Sequence, residues 1–545
     1  MERHDRIVLA SRIHTMAEQG AAPARAEAVH VVDGRIGAVG RRDEILTGRR
    51  HGTEVIDLGD AVLLPGLIEP HTHPDLCAQF AAWIDVSGFR YPEVARVEQA
   101  LRDAIAGAPA GGWIFAFGLD PMLTPDLGAW GRDRLDRLTT DHAVFVLIQS
   151  LHTAFVNSKA FELAGIDDAT PLPDGGHGFG RDAAGRLDGR LAEQPAMGPF
   201  MRFALGSPES ARDSLAAQYS RYREVGITSI GAAGIVGGRG HLSMLASVAS
   251  APRTPVRTTA YLPHDLADLL PGMPRDGDRW RVRGVKLWYD GSPYTGTMLL
   301  DEPYLDSQLC CCTLGIPAGT TGRANFSPDQ LIDTLVGLHD GGWQVLTHTQ
   351  GDRGCREMLD LYERVMRETR RGPAADHRWR LEHCALISPE ELVRARELGV
   401  SPSFHVNHVR HYGPELRDSI LGAERAERLM PLREAVLLGH RISLHADSPM
   451  YPPDPLSLVR TAVTRRTRHG DVLGAHHAVD LDAALRAVTV DAAWQLGLDG
   501  ETGSIAPGLR ADFSVLERDP AAVASEDLDR IAILDTWLDG TPTSA

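Results

Sequence analysis

Two periodicities alternate along the central part of this chain. Short apolar runs with period-2 alternation give way to longer stretches in which apolar residues recur every three or four positions. That is the pattern of strands followed by amphipathic helices. The runs "GITSIGAAG" (226–234), "VRTTAYL" (256–262), "VRGVKLWYDG" (282–291), "GWQVLTHTQGD" (342–352), "HRWRLEHC" (377–384), "GVSPSFHV" (399–406) and "RISLHADSP" (441–449) each predict a strand. With "LLPGLIEPHTHPD" (63–75) as the first, they make the eight of a parallel α/β barrel.

Both ends of the chain read differently. "RIVLASRIHTM", "AEAVHVVDGRIGAVG" and "TEVIDLGDAVLLPG" are short strands and turns, with a hairpin signal at Asp33-Gly34. The C-terminus returns to this texture in "GSIAPGLRADFSVLERDP" (503–520) and "IAILDTWLDGTPTSA", after a long helical stretch at "LDAALRAVTVDAAWQLGL". The expected fold is therefore α/β: a (β/α)8 TIM barrel over 66–499, with a small β-sandwich domain from residues 1–65 and 500–545. Residues from about 80 to 210 break the rhythm and include the Gly- and Pro-rich "TPLPDGGHGFGRDAAGRLDG". They read as an insertion after the first strand that roofs the barrel mouth, with its loop 173–182 near a bound substrate.

Polar residues at strand ends carry the chemistry. In an extended strand, positions i and i+2 face the same way, so His71 and His73 look out side by side. An isolated HxH is ordinary loop polarity. Here the later strands end in Lys286, His348, His383 and Asp447, at the carboxyl edge where a barrel gathers its catalytic groups. In "VKLWY", Val285, Leu287 and Tyr289 share the face opposite Lys286. In "RISLHADS", Ile442, Leu444 and Ala446 lie opposite Ser443, His445 and Asp447. Imidazole and carboxylate donors suit Zn²⁺ and similar divalent ions. A lysine among them has two readings: it pairs with Asp290 four residues on, or it reacts with CO₂ to give an anionic carbamate that bridges two metals.

Composition narrows the field. A chain of 545 residues is long for one ordinary domain but suits a barrel with insertions. A formal net charge of −17 argues against nucleic acid or an anionic membrane as partner. The N-terminus lacks the apolar core of a signal peptide, and no run reaches the roughly 20 apolar residues of a membrane helix. Six cysteines, three of them consecutive (310–312), form neither a disulfide framework nor a CxxC site, which points to reduced thiols and the cytoplasm.

The ordered set "PGLIEPHTH", "HTAFVNSKAFELAGI" (152–166), "VKLWYDGS", "HTQGD", "LEHC", "HADSP" and "GSIAPGLRADFSVLERDP" resembles the amidohydrolase superfamily, specifically amidohydrolase family 3, which includes N-substituted formamide deformylases. The resemblance runs from about residue 30 to 520. It implies a barrel with a terminal β-sandwich and one or two divalent metals, most simply zinc. His71 and His73 would bind the more buried metal, Lys286 would be the carboxylated bridge, and His348 and His383 would hold the second metal. Asp447 would be the acid/base. The implied reaction is hydrolysis of a C–N bond in a small amide, by a metal-activated hydroxide. A non-hydrolytic lyase or isomerase on the same scaffold is the alternative. Nucleobase deamination is disfavoured, because "HTQGD" lacks the glutamate that purine deaminases of this fold place soon after the histidine.

Weaker candidates surround this set. Glu382 reads either as a carboxylate orienting a ligand or as a surface charge. His405, His408, His411 and Tyr412 follow the seventh strand, where a substrate contact would sit. His445 is an extra site group or a packed histidine. His152 and Glu193 match recurrent family positions bordering the pocket. Arg465 is a substrate-anion contact or a helix-surface charge, and Trp83 and Trp113 are packing residues. A homodimer is the expected assembly.

Overall fold

The structure is a computed structural model of the full chain. It describes all residues except 1–4, 19, 24–25, 125–126, 128–129, 172–177, 205–206, 236–237, 373 and 545, together with the side chains of 193 and 194.

Eight parallel strands run in one sheet: β1 (Leu67–Thr72), β2 (Ile227–Ala233), β3 (Arg257–Pro263), β4 (Trp280–Trp288), β5 (Gln344–Thr349), β6 (Arg380–His383), β7 (Ser401–Phe404) and β8 (Ser443–Leu444). Neighbours in sequence are neighbours in the sheet, with helices between most of them, giving a nearly closed TIM barrel. Each strand coincides with one of the apolar runs. The last three are short, because the chain turns away soon after presenting its polar residue.

The helix Asp352–Glu368 shows why the outer layer forms. Cys355, Met358, Leu359, Tyr362, Val365 and Met366 recur every three or four positions and are all buried. Ser388 and Glu391 close a capping box that starts the helix Pro389–Glu397. The outward parity of β4 holds: Tyr289 is buried and its hydroxyl donates to Glu357 of the 352–368 helix. One expectation fails. The helical stretch 481–498 is two helices, Leu481–Ala487 and Val490–Gln495, broken at Thr489 by a non-helical backbone (φ −137°, ψ −100°).

Strands from both termini share a second eight-stranded sheet, in which Val62–Pro65 pairs antiparallel with Phe513–Leu516. It folds over a core of Val8, Val29, Ile36, Phe513, Val515 and Trp537 to make the terminal β-sandwich. The Asp33-Gly34 hairpin is present, both residues at positive φ. Gly66 links this sheet to β1, and a Cβ there would lie 2.1 Å from Thr228 Oγ1. Arg257, the first residue of β3, joins Asp512 and Asp539 at 3.0 and 2.7 Å. Glu501 receives Arg281 at both oxygens and Arg510 at one. Burial would raise its carboxyl, but these arginines hold it at about 2.

These segments form one compact unit (1–75, 216–304 and 319–545); a second comprises 76–215 and 305–318. The second unit has its own six-stranded sheet, with Thr153–Val156 and Ala143–Ile148 at its centre. Its aromatic core contains Phe80, Trp83, Phe145 and Phe200, with Trp113 packed against it, so both tryptophans pack as expected. His152 is half-buried on the turn between Ala143–Ile148 and Thr153–Val156. The side chain of Glu193, and residues 173–177 of the loop 173–182, lie outside the described residues.

Candidate metal centre

β1 carries Glu69 and His71, both buried, and His73 follows its last residue, past an irregularity in the pairing with β2 between Glu69 and Thr72. His71 is fully buried, and its Nδ1–H donates to Glu382 at 2.5 Å. Glu382 in turn receives Arg380 at 2.6 Å, and Arg380 also donates to the Pro70 carbonyl. Glu382 is therefore an interior carboxylate that orients His71, not a surface charge. With its proton on Nδ1, His71 presents a lone pair at Nε2, and Lys286 Nζ donates to it at 2.9 Å.

Asp447 closes the group. Its Oδ1 lies 3.4 Å from His71 Nε2 and 3.2 Å from His73 Nε2. His73 Nδ1–H donates to the carbonyl of Gly234. Gly234 has φ +88°, and a Cβ there would come within 2.5 Å of the Trp288 ring and 3.0 Å of Lys286 Cγ, so only glycine fits. The Asp447 side chain is 18% exposed and that of His73 11%, whereas His71 is sealed. Burial would raise the Asp447 carboxyl, but His71, His73 and His405 hold it well below the usual range.

On the far side, the rings of His348 and His383 lie 4.2 Å apart. His383 is buried at φ +72°. Among the described residues its Nε2 has no hydrogen-bond partner, and neither do His405 Nδ1 and Asp447 Oδ1. Buried polar atoms without partners are uncommon unless an ion or water completes them. Three groups bring ligand atoms within 4.8 Å of one another: His71, His73 and Asp447; His383, His405 and Asp447; and His71, His383 and His445. This donor set fits a divalent ion such as zinc. His348 is in none of the three; its Nε2 lies 3.3 Å from the Gly291 carbonyl.

Burial keeps His71, His383, His408 and His445 well below the usual imidazole range, hence neutral and fit to ligate. It also lowers the Lys286 ammonium to about 8, against the opposing pull of Glu382 and Asp447. No ion pair links Lys286 to Asp290 among the described residues. Asp290 is occupied by the backbone N–H groups of Leu299, Gln350 and Gly351. Burial raises its carboxyl to about 7.

The weaker candidates sort clearly. His445 is interior, stacked on His71 at 4.7 Å, with Nε2 3.1 Å from His383 Nδ1. His405 donates from Nε2 to the Ala446 carbonyl and lies 3.9 Å from Asp447. His408 Nδ1 lies 2.8 Å from the hydroxyl of Tyr294 and 2.6 Å from that of Tyr451. Tyr412 is buried beside Tyr294, and His411 stacks on Tyr451. Arg465 is corrected on both readings: it is fully buried and its guanidinium caps the carbonyls of Leu429, Met430 and Leu473. Glu69 and Arg380 were passed over, although each shares strand parity with a named residue, His71 and Glu382. Glu69 accepts from the N–H groups of His71 and Ala446, and burial raises it to about 8.

The sequence matches one family model, described as the amidohydrolase family, over residues 54–543. The chain belongs to the amidohydrolase family. It is 27% identical to an N-substituted formamide deformylase of Arthrobacter pascens, over 94% of each chain. It is 26% identical to a putative amidohydrolase of Bacillus subtilis, over 97% of each. Among solved structures, a metal-dependent hydrolase of Pyrococcus horikoshii superposes with a TM-score of 0.74 at 23% identity, covering 96% of this chain and 99% of that one. This amidohydrolase thus carries histidine and aspartate groups that can hold metal at the carboxyl edge of its barrel. Among the described residues, no helix is long and apolar enough to cross a membrane.

Proposed function

We propose that this amidohydrolase family member hydrolyses an amide-type C–N bond in a small molecule, with Asp447 as the acid/base. The observation that carries the reading is the convergence of His71, His73 and Asp447, with the carboxylate and His73 accessible while His71 is sealed behind them. His71, His73, Lys286, His348 and His383 would hold one or two divalent ions, zinc the simplest fit. When bound, such ions acidify water and polarise a carbonyl.

The chain's own residues do the rest. Asp447 accepts a proton at a carboxylate oxygen as water adds to the carbonyl carbon. It then returns that proton to the departing nitrogen, which leaves poorly unless protonated. Lys286, as a free amine, can add to CO₂: an N–C bond forms as one C–O π bond opens, one proton is released, and the neutral amine becomes an anionic carbamate that could serve as a ligand. His405 and the tyrosine-bound His408 lie beside Asp447 and the ligands, and His152, Glu193 and Tyr412 are further candidates for substrate contact. The similarity to a formamide deformylase favours N-formyl amides as the first compounds to try.

The test is a screen of N-formyl, N-acyl and cyclic amides with zinc-loaded protein, run in ¹⁸O-labelled water. Release of an amine with label in the acid product is expected. Turnover without water uptake would turn the assignment to a lyase or isomerase, and full activity in metal-free protein would overturn the metal reading.

A further inference from the structure

Below the accessible residues, a line of buried polar side chains runs to His383. Gln495 Nε2 donates to the carbonyls of Pro402 and Arg441, both at 2.9 Å. Its amide orientation is therefore fixed, and Oε1 faces Ser443 Oγ at 2.5 Å. A carbonyl oxygen only accepts, so the single hydroxyl proton of Ser443 points there. Ser403 Oγ lies 2.8 Å from Ser443 Oγ, and with the Ser443 proton committed, Ser403 must be the donor of that contact. Ser403 then has only lone pairs for His445 Nδ1, 2.8 Å away. His445 therefore carries its proton on Nδ1 and a lone pair on Nε2, the atom 3.1 Å from His383 Nδ1.

We propose that this line of neutral groups, Gln495–Ser443–Ser403–His445, locks His383 as the Nδ1–H tautomer and so makes Nε2 its metal-binding atom. His445 is thus a positioning residue. The inference rests on the reading of this centre as a metal site. The competing arrangement places an ion directly between His383 Nδ1 and His445 Nε2. That would move the His383 proton to Nε2, a buried nitrogen with no acceptor. With the ion on Nε2, both ring nitrogens are satisfied. His71 reaches the same tautomer through Glu382. The lock is directional: without the Ser443 hydroxyl, Ser403 is free to donate to His445 instead, and the whole line can reverse.

Zinc affinity of the full-length apoprotein, measured by competition with a chromophoric chelator, tests this. Ser443→Ala removes a hydroxyl that touches no ligand, and is expected to weaken zinc binding about 10-fold, the lower end of the effect of losing a ligand-orienting partner. Ser443→Thr restores the hydroxyl and is expected to bind like wild type. His445→Leu is expected to weaken binding about 10–100-fold, with most of the loss regained in His445→Gln, whose carbonyl still accepts from His383. Ser443→Ala that melts cooperatively and binds zinc as tightly as wild type would overturn the proposal. So would a His445→Gln as weak as His445→Leu, which would mark His445 as a direct ligand. If the His445 variants do not fold, the Ser443 pair decides. Wild-type protein that binds no zinc would instead bring down the metal reading itself.

Discussion

His71 and His383 face each other across one centre, their rings 4.9 Å apart, and each has its Nδ1 held by a buried partner. The partners differ in kind. Behind His71 stands a charged pair, Glu382 and Arg380, with no solvent access. Behind His383 stands a neutral line through His445 and two serines. A carboxylate partner makes an imidazole a stronger base and ligand, whereas a neutral acceptor chiefly orients it. The charged arm is also the less divisible. Losing one member strands the other in a dry interior, while a neutral link costs little more than its hydrogen bond.

Asp447 touches both arms, so its loss should be felt most in rate and least in structure. Asp447→Asn should keep most of the zinc yet lower kcat by roughly 10²–10⁴-fold. Elemental analysis beside steady-state kinetics checks this, and turnover near wild type would remove Asp447 from the chemistry.

The charged arm can be broken at Arg380. Arg380→Met leaves Glu382 uncompensated beside His71 and should destabilise the protein by about 3–5 kcal/mol in chemical denaturation. The double variant with Glu382→Gln should recover part of that loss, since no stranded charge remains. A single variant as stable as wild type would erase the distinction between the arms.

A third buried histidine sits at the root of the strand that presents His383, and it sharpens the comparison through pH. His377 accepts the Trp379 N–H at Nδ1 and donates from Nε2 to the Leu398 carbonyl, so it is held neutral. Burial lowers its pKa from the usual imidazole value of about 6.5 to about 4. A histidine depressed in the folded state takes up a proton more readily when unfolded. Its stabilisation is therefore complete above pH ~6.5 and is lost as pH falls towards about 4, by at most about 3 kcal/mol. Denaturation midpoints of wild type and His377→Gln across this window should converge as pH falls; parallel curves would contradict the assignment.

Metal affinity in Glu382→Gln alone compares the two arms directly. This variant keeps an acceptor for His71 but removes the charge, and zinc affinity should fall about 10–100-fold by chelator competition. A larger loss in Ser443→Ala than in Glu382→Gln would invert the ranking of the two arms.

Some of this was open to reading in the chain itself. Period-2 runs ending in His71, His73, Lys286, His348, His383 and Asp447 located the strands and the edge where these residues meet, because parity in a strand is a local property of the backbone. The same parity pointed Ser443 and His445 inward. It also offered Glu69 and Arg380, two positions from His71 and Glu382.

Tertiary structure alone decided who partners whom. Glu382 meets His71 across 311 residues and Gln495 meets Ser443 across 52, contacts that exist only once the sheet has curled into a barrel. Arg465 has the composition of a surface charge and becomes an interior clamp because three carbonyls left over at loop ends need a donor there. The break at Thr489 interrupts a stretch whose pattern is helical throughout. Periodicity records which face a residue turns to the interior; proton positions, partners and burial depend on what arrives opposite it, and that is fixed by the closure of the sheet.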